Sequence, residues 1–145
     1  MREIIFRGKR TDNGEWVEGS LIQFEPKSVI LFKSKETDVA FIFDEAFPSH
    51  LVEVVITETV GQYTGLTDKN GKKIFEGDIV KREFTLYHSE KKKTRETQIG
   101  VVTYSDIDCG FYLEKACNLR KPWDGDTLEI IGNIHDNPEL LKGGG

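Results

Sequence analysis

The segment from Thr59 to Lys81, TVGQYTGLTDKNGKKIFEGDIVK, places two turn signals and the start of a strand in one short stretch. Asn70-Gly71 joins two residue types that tolerate positive φ, and this predicts a two-residue hairpin turn. Glu76-Gly77-Asp78 predicts a second turn. The apolar residues that follow, from Ile79 to Leu86, suit a half-buried strand. A chain that reverses direction twice in so short a stretch is typical of antiparallel sheet.

Short apolar runs separated by turn residues extend this pattern over the whole chain. The composition, with 14 glycines and 4 prolines, favours an all-β protein with frequent turns over a helical bundle. A change of composition near residue 57 predicts a hairpin-rich subdomain at 1–56 and a second one, a small barrel, at 57–145, packed as one compact unit. The predicted strands are 3–7, 16–24, 29–32, 39–43, 51–56, 78–86, 99–104, 110–114 and 128–134, and Asn137 and Pro138 predict the start of a short, Asn-capped C-terminal helix before the fraying tail 143–145.

Charge and cysteine content restrict the environment of the chain. The 20 basic and 25 acidic residues give a net charge of −5, so any contact with a phosphate backbone must be local. Cys109 and Cys117 are too few for a disulfide framework, and no charged and then apolar leader follows Met1. No apolar run approaches the roughly 18 residues of a membrane span. These features predict reduced thiols and a cytosolic protein.

Three motifs stand out in the chain: the N-terminal EIIFRGKRTDNGEWVEGSLI, the central segment from Thr59 to Lys81, and the C-terminal EIIGNIHDNPELL. Together they resemble the motifs of the YopX family, which is found in phages and prophages of bacteria. Residues 25–55 and 83–126 carry little of the resemblance. The resemblance implies an all-β protein whose C-terminal half is an SH3-type barrel and which associates with itself. It points to no established biochemical activity and gives no catalytic residues to assign in this sequence.

Candidate catalytic groups are dispersed along the sequence. His50, His88 and His135 lie far apart, and none adjoins a serine or cysteine motif of the nucleophile-elbow type. The pair His135-Asp136 comes closest to a base with an orienting carboxylate, but it equally suits a polar connection into the C-terminal helix. The sequence therefore predicts surface or turn histidines and no catalytic residue.

Metal and cofactor motifs are incomplete in the same way. Asp106, Asp108, Gly110 and Glu114 differ from a calcium loop in spacing, and the carboxylates at 124 and 126 suit a solvated turn. The two cysteines lack CxxC spacing, which predicts small buried or half-buried residues. No Walker or GxGxxG motif follows a predicted strand. The sequence therefore predicts neither a metal nor a cofactor.

The densest basic cluster, formed by Lys91, Lys92, Lys93 and Arg95, lies in the polar stretch 88–97 between two predicted strands. Such a cluster can contact phosphates from the tip of a barrel. Glu90 and Glu96 flank it and favour a solvated, mobile hairpin tip instead. Trp16 and Trp123 are too far apart for an aromatic and basic stripe, so we expect them in a core or an interface.

Three hypotheses of function follow. The first is a non-enzymatic phage accessory protein that binds itself, or a host or phage protein, through exposed strand edges. The second is a nucleic-acid-binding protein that uses the basic cluster. The third, an enzyme that uses His135 and nearby carboxylates, has the least support. Membrane partners are not expected.

Overall fold

The computed structural model describes residues 3–24, 27–31, 52–114, 117–118 and 127–142. The chain divides into two compact units, Met1–Tyr63 and Thr64–Gly145. All of the regular structure in the described residues is strand or short 3-10 helix, so the predicted all-β class is confirmed. None of the helices among these residues is long and apolar enough to cross a membrane. The predicted strand at 39–43, His50, Trp123, the turn at 124–126 and the tail at 143–145 lie outside the described residues.

The first unit is an antiparallel sheet in the order β4-β3-β2-β1-β5. The end of β1 also meets β4, because Arg10 forms a bridge with Val55 and Ile56 N donates to Lys9 O at 2.8 Å. Gly8 makes this approach possible, since a Cβ there would lie 2.9 Å from Val55 Cβ. The strands are β1 (Phe6–Lys9), β2 (Trp16–Phe24), β3 (Lys27–Leu31), β4 (Val52–Val55) and β5 (Gly61–Thr67), of which the residues up to Tyr63 belong to the first unit.

The second unit contains a five-stranded antiparallel sheet in the order β10-β9-β8-β7-β11, and β6 pairs with the end of β5. Its core consists of apolar side chains from β5 to β9 and β11. Among the described strand pairs this sheet is open, and the SH3-type barrel stays a prediction. The strands are β6 (Lys73–Phe75), β7 (Asp78–Tyr87), β8 (Lys93–Ser105), β9 (Gly110–Leu113), β10 (Cys117–Asn118) and β11 (Thr127–Asn133), and the core side chains are Leu66, Ile74, Val80, Val102, Phe111, Leu113, Leu128 and Ile130.

The turn at Asn70-Gly71 is longer than predicted. Asp68 N donates to Lys72 O at 2.8 Å, so three residues form the loop. Gly71 alone of these has a positive φ, +79°, as expected for a three-residue hairpin loop that ends in a left-handed residue. The two-residue prediction was wrong because Asn70 keeps a negative φ. The second turn is confirmed, with Gly77 at φ +88°.

The predicted C-terminal helix is a 3-10 helix, Pro138–Leu141, and Asn137 does not cap it through its side chain. The Asn137 side chain instead turns back, and its Oδ1 accepts a hydrogen bond from Asn133 N at 3.4 Å. Gly132 leaves room for this, since a Cβ there would lie 2.6 Å from Asn137 Oδ1. The contact therefore fixes the end of β11 instead of the start of the helix.

Candidate functional site

Among the described residues the longest hairpin, β7–β8, extends beyond the strands that pair with it. The described pairing of β11 with β7 runs from Asp78 to Glu83, and that of β9 with β8 runs from Val102 to Ser105. We call the part from Phe84 to Thr97 the arm. In the strand pairings of the described residues, no strand lies beside the outer edge of either half of the arm.

The strand β8 begins at Lys93, six residues earlier than predicted. The turn is therefore only 88–92, and the basic cluster is divided between it and the strand. Lys91 and Lys92 are exposed in the turn, whereas Lys93 pairs with Tyr87 and Arg95 pairs with Thr85. The hairpin tip is therefore exposed as predicted but shorter than the stretch 88–97, because the strand pairing with β7 extends through a segment without apolar residues.

Alternation along the two strands gives the arm two different faces. Residues directly opposite in an antiparallel pair project to the same side, and successive residues project to opposite sides. One side, which we call the basic face, carries Tyr87, Thr85, Lys93 and Arg95. Tyr87 is 73% exposed. The other side, the Leu86 face, carries Phe84, Leu86, Thr94 and Glu96.

The acidic residue Glu96 lies on the side opposite to the basic residues. Its Oε1 accepts a hydrogen bond from Thr94 Oγ1 at 2.9 Å, and Thr94 Oγ1 lies 2.9 Å from His88 Nε2. Glu96, which flanks the cluster in the sequence, therefore projects away from Lys93 and Arg95, because adjacent strand residues face opposite sides of the sheet. Glu90 remains in the exposed turn.

Glu83 marks the inner limit of the basic face. Its carboxylate lies 3.0 Å from Lys81 Nζ and 3.8 Å from Arg95 Nη2. The Lys81 hydrogen bond is the main cause of a lowered pKa at Glu83, and the charge of Arg95 acts in the same direction. Half-exposed ion pairs of this kind are weak. Arg95, which also donates to Thr85 Oγ1 at 3.3 Å, can therefore exchange these contacts for an external anion.

The backbone of the arm directs alternate amides outward. His88 N donates to Lys92 O at 2.8 Å, which makes this pair the first hydrogen-bonded pair of the ladder. Hydrogen-bonded and non-bonded pairs alternate in antiparallel sheet. The pairs Tyr87 with Lys93 and Thr85 with Arg95 are therefore non-bonded, and their N–H and C=O groups point away from the partner strand. The backbone groups of Glu83, two residues before Thr85, point in the same direction, and Glu83 pairs with β11.

The pair His135-Asp136 forms a turn. Asn133 Oδ1 accepts hydrogen bonds from His135 N at 3.0 Å and from Asp136 N at 2.9 Å. Asp136 Oδ2 in turn accepts from Asn133 Nδ2 at 3.1 Å. The Asp136 carboxylate is thus bonded to the asparagine of the turn, and the motif closes the end of β11.

Two buried carboxylates of the central motif bind backbone amides. Asp68 Oδ1 accepts from Asn70 N at 2.9 Å and Lys72 N at 3.0 Å, and Asp68 Oδ2 accepts from Ile130 N at 3.2 Å. Asp78, which is 1% exposed, accepts from Phe75 N at 2.8 Å. Asp68 therefore joins the loop 68–72 to β11, and Asp78 closes the turn between β6 and β7. Neither residue was identified from the sequence as a structural acceptor.

Glu76 differs from these carboxylates, because its half-buried side chain has a raised pKa that is caused by desolvation. A raised pKa means that ionisation in the folded state is unfavourable. The resulting loss of stability grows as the pH rises through the unfolded-state pKa of about 4.3, and it is complete above the folded-state pKa. We therefore expect Glu76→Gln to raise the melting temperature at pH 7 and to change it little at pH 3. An equal melting temperature for the variant and the wild type at pH 7 would contradict this.

The remaining motifs considered in the sequence form no metal site where the structure describes them. Among the described residues no three His, Cys, Asp or Glu side chains come together to hold a metal ion. Asp108 Oδ2 accepts from Ser105 Oγ at 3.1 Å within the β8–β9 turn. Cys109, with φ +49°, is an exposed free thiol, so the expectation that it is buried was wrong. The side chain of Cys117 lies outside the described residues.

Trp16 is half-buried in the first unit. The guanidinium carbon of Arg7 lies 4.7 Å from its ring centroid, and Lys9 Nζ lies 5.8 Å away. The indole is therefore in contact with cations of the same chain. This differs from Tyr87, whose ring is largely exposed to solvent.

Comparison with known proteins agrees with the three motifs. A search of curated proteins gives no match. Among solved structures, the chain is similar to the protein EF1440 from Enterococcus faecalis, with 29% sequence identity over 97% of this chain and 99% of that one, and a TM-score of 0.46. The family model described as YopX protein matches residues 5–142. The chain therefore belongs to the YopX family.

Proposed function

We propose that this protein is a phage or prophage accessory protein that acts by binding rather than by catalysis, in the cytoplasm of a bacterial host, and that it binds a second copy of itself through the arm. The observation that carries the proposal is the outer edge of β7 after Glu83, where no described strand pairs with outward-directed backbone groups. A strand edge of this kind is a template for another strand.

The two edges of the arm differ in their capacity for self-pairing. Two copies of β8 could pair about a two-fold axis at residue 94, 95 or 96. An axis at 94 would place Lys93 opposite Arg95 of the second copy. An axis at 95 would place Arg95 opposite its own copy, and an axis at 96 would do the same for Glu96. Like charges directly opposite each other are destabilising, and charged edge residues protect natural sheets from association. The edge of β8 is therefore unsuited to pair with its own copy.

The edge of β7 has no such conflict. With the two-fold axis at Leu86, the outward amides and carbonyls of Thr85 and Tyr87 exchange hydrogen bonds with Tyr87 and Thr85 of the second copy. Leu86, which is 43% exposed, then packs against its own copy, and Phe84 lies opposite His88. The four arm strands would form one continuous antiparallel sheet. Four hydrogen bonds at roughly 1 kcal/mol each, with one apolar pair, support a weak and concentration-dependent dimer.

Light scattering of the purified chain over a wide range of micromolar concentrations tests the proposal. We expect the wild type to form a dimer and Thr85→Pro to remain a monomer, because proline removes an outward donor without removing a bond to β8. Thr85→Ala keeps the amide and serves as the matched control, which should still dimerise. Leu86→Lys should also give a monomer, because it places two like charges at the axis.

Two results would overturn the proposal. A wild type that is monomeric at all concentrations would exclude self-association. A Thr85→Pro variant that dimerises as well as Thr85→Ala, with an unchanged circular-dichroism spectrum, would place the interface elsewhere than at the edge of β7.

A further inference from the structure

We propose that the basic face of the arm binds single-stranded nucleic acid, with an unpaired base stacked on Tyr87 and the adjoining phosphates held by Lys93 and Arg95. The juxtaposition that suggests this is the register Tyr87 opposite Lys93 and Thr85 opposite Arg95. It places an exposed aromatic ring and two cations on one surface. The proposal goes beyond self-association and does not depend on it, because pairing at the edge of β7 leaves the face of the sheet open.

The exposure of Tyr87 favours a ligand with a flat, apolar surface. An aromatic side chain that is 73% exposed at the end of a strand packs little surface within its own chain. Base stacking on such rings occurs in proteins that bind single strands with little sequence preference. A duplex hides the faces of its bases, so only an unpaired base can reach the ring.

The spacing of the cations suits a phosphate chain. Lys93 and Arg95 are two residues apart on one side of β8, which separates their Cα atoms by about 6.7 Å. This is close to the separation of successive phosphates in an extended single strand. Lys91 and Lys92 continue the positive charge into the turn, and Glu96 lies on the other side. Because the net charge of the chain is −5, the attraction for phosphates is confined to this surface. The binding affinity should fall with salt concentration, because each phosphate contact releases counterions.

Fluorescence anisotropy with a labelled oligothymidylate of about 12 nucleotides tests the proposal, with a duplex of the same length as the second ligand. We expect the single strand to bind more tightly than the duplex. Tyr87→Ala should weaken binding of the single strand by about 5- to 100-fold, and Tyr87→Phe should keep it, because the ring is what stacks. Lys93→Gln should lower the slope of log K against log salt concentration by about 0.7, the value for one phosphate of a single strand.

Lys142→Gln, which removes an exposed charge outside the arm, is the matched control and should leave the slope unchanged. Thr85→Pro should bind the oligonucleotide as a monomer. Melting temperatures of all variants establish that they are folded.

Each alternative outcome overturns the proposal. No change in anisotropy at about 50 mM salt would exclude nucleic acid as the ligand. Equal affinity for single strand and duplex, together with no effect of Tyr87→Ala, would reduce the arm to a nonspecific basic surface. Displacement of the oligonucleotide by polyglutamate of equal charge would show that the arm binds polyanions in general, and it would overturn the assignment of nucleic acid as the ligand.

Discussion

Replacement of Gly100 by alanine is expected to lower the free energy of unfolding by about 3 kcal/mol. The end of β9, the strand that pairs with β8, lies close to this residue. A Cβ at Gly100 would lie 2.5 Å from the carbonyl oxygen of Glu114 and 2.7 Å from Cγ of the fully buried Leu113. The backbone must shift to admit it, because neither contact is with the free end of a flexible side chain.

Gly71→Ala provides the comparison for this prediction. Gly71 has a φ of +79° and no atom within 4 Å of its Cβ position. Replacement by alanine should lower the free energy of unfolding by only about 1 kcal/mol, which is the typical cost of holding a residue with a side chain in the left-handed region. Chemical denaturation of both variants measures the difference. An effect of Gly100→Ala no larger than that of Gly71→Ala would show that the end of β9 does not approach Gly100 closely.

Asp68→Ala is expected to destabilise the second unit by a similar amount, about 3 kcal/mol. The side chain is 6% exposed and accepts hydrogen bonds from three backbone amides, one of which belongs to β11. Buried donors that lose their acceptor cost about 1 to 3 kcal/mol each, and part of this is recovered by hydration after the loop opens. Denaturation at neutral pH measures the loss, and an effect below about 1 kcal/mol would contradict the role of Asp68 as a link between loop and strand.

The contribution of Asp68 also depends on pH. Desolvation alone would raise its pKa, but the bonds from Lys72, Ile130 and Asn70 together lower it below the ordinary value. A lowered folded-state pKa means that the stabilisation is fully present above the unfolded-state pKa of about 3.9 and is lost as the pH falls through the folded-state pKa. Asp68→Asn should therefore differ from the wild type at pH 6 and approach it at pH 2. If the difference in stability between Asp68→Asn and the wild type stayed constant from pH 6 to pH 2, the claim that Asp68 acts as an ionised carboxylate would be contradicted.

The all-β class was predictable because its signals are local. Gly77, with φ +88°, forms the turn that the sequence indicates, and the apolar residues after it enter the core of the second unit. These features require only short-range sterics and the period of a strand. The three-residue loop at 69–71 was not predictable in the same way, because its length depends on the bond from Asp68 N to Lys72 O, and the same dipeptide is compatible with both lengths.

The candidate site required tertiary information. Residues 93–98, KTRETQ, have no apolar residue and give no strand signal of their own. Their strand structure comes from pairing with β7, and that pairing assigns Arg95 and Glu96 to opposite faces. The position of Tyr87 opposite Lys93 depends on the register of the hairpin, which the sequence does not specify. Asp68 was missed for a related reason, since Ile130 N lies 62 residues away.

Hydrogen exchange of the arm amides at two protein concentrations tests most directly the claim that β7 binds through its outer edge. The amides of Thr85 and Tyr87 point outward and lack a described strand partner, whereas those of Phe84 and Leu86 bond to β8. We predict that exchange at Thr85 and Tyr87 slows as the concentration rises, while exchange at Lys93 and Thr97 on the other edge does not. Exchange at Thr85 and Tyr87 that is independent of concentration, in a sample that light scattering shows to be dimeric, would contradict the account.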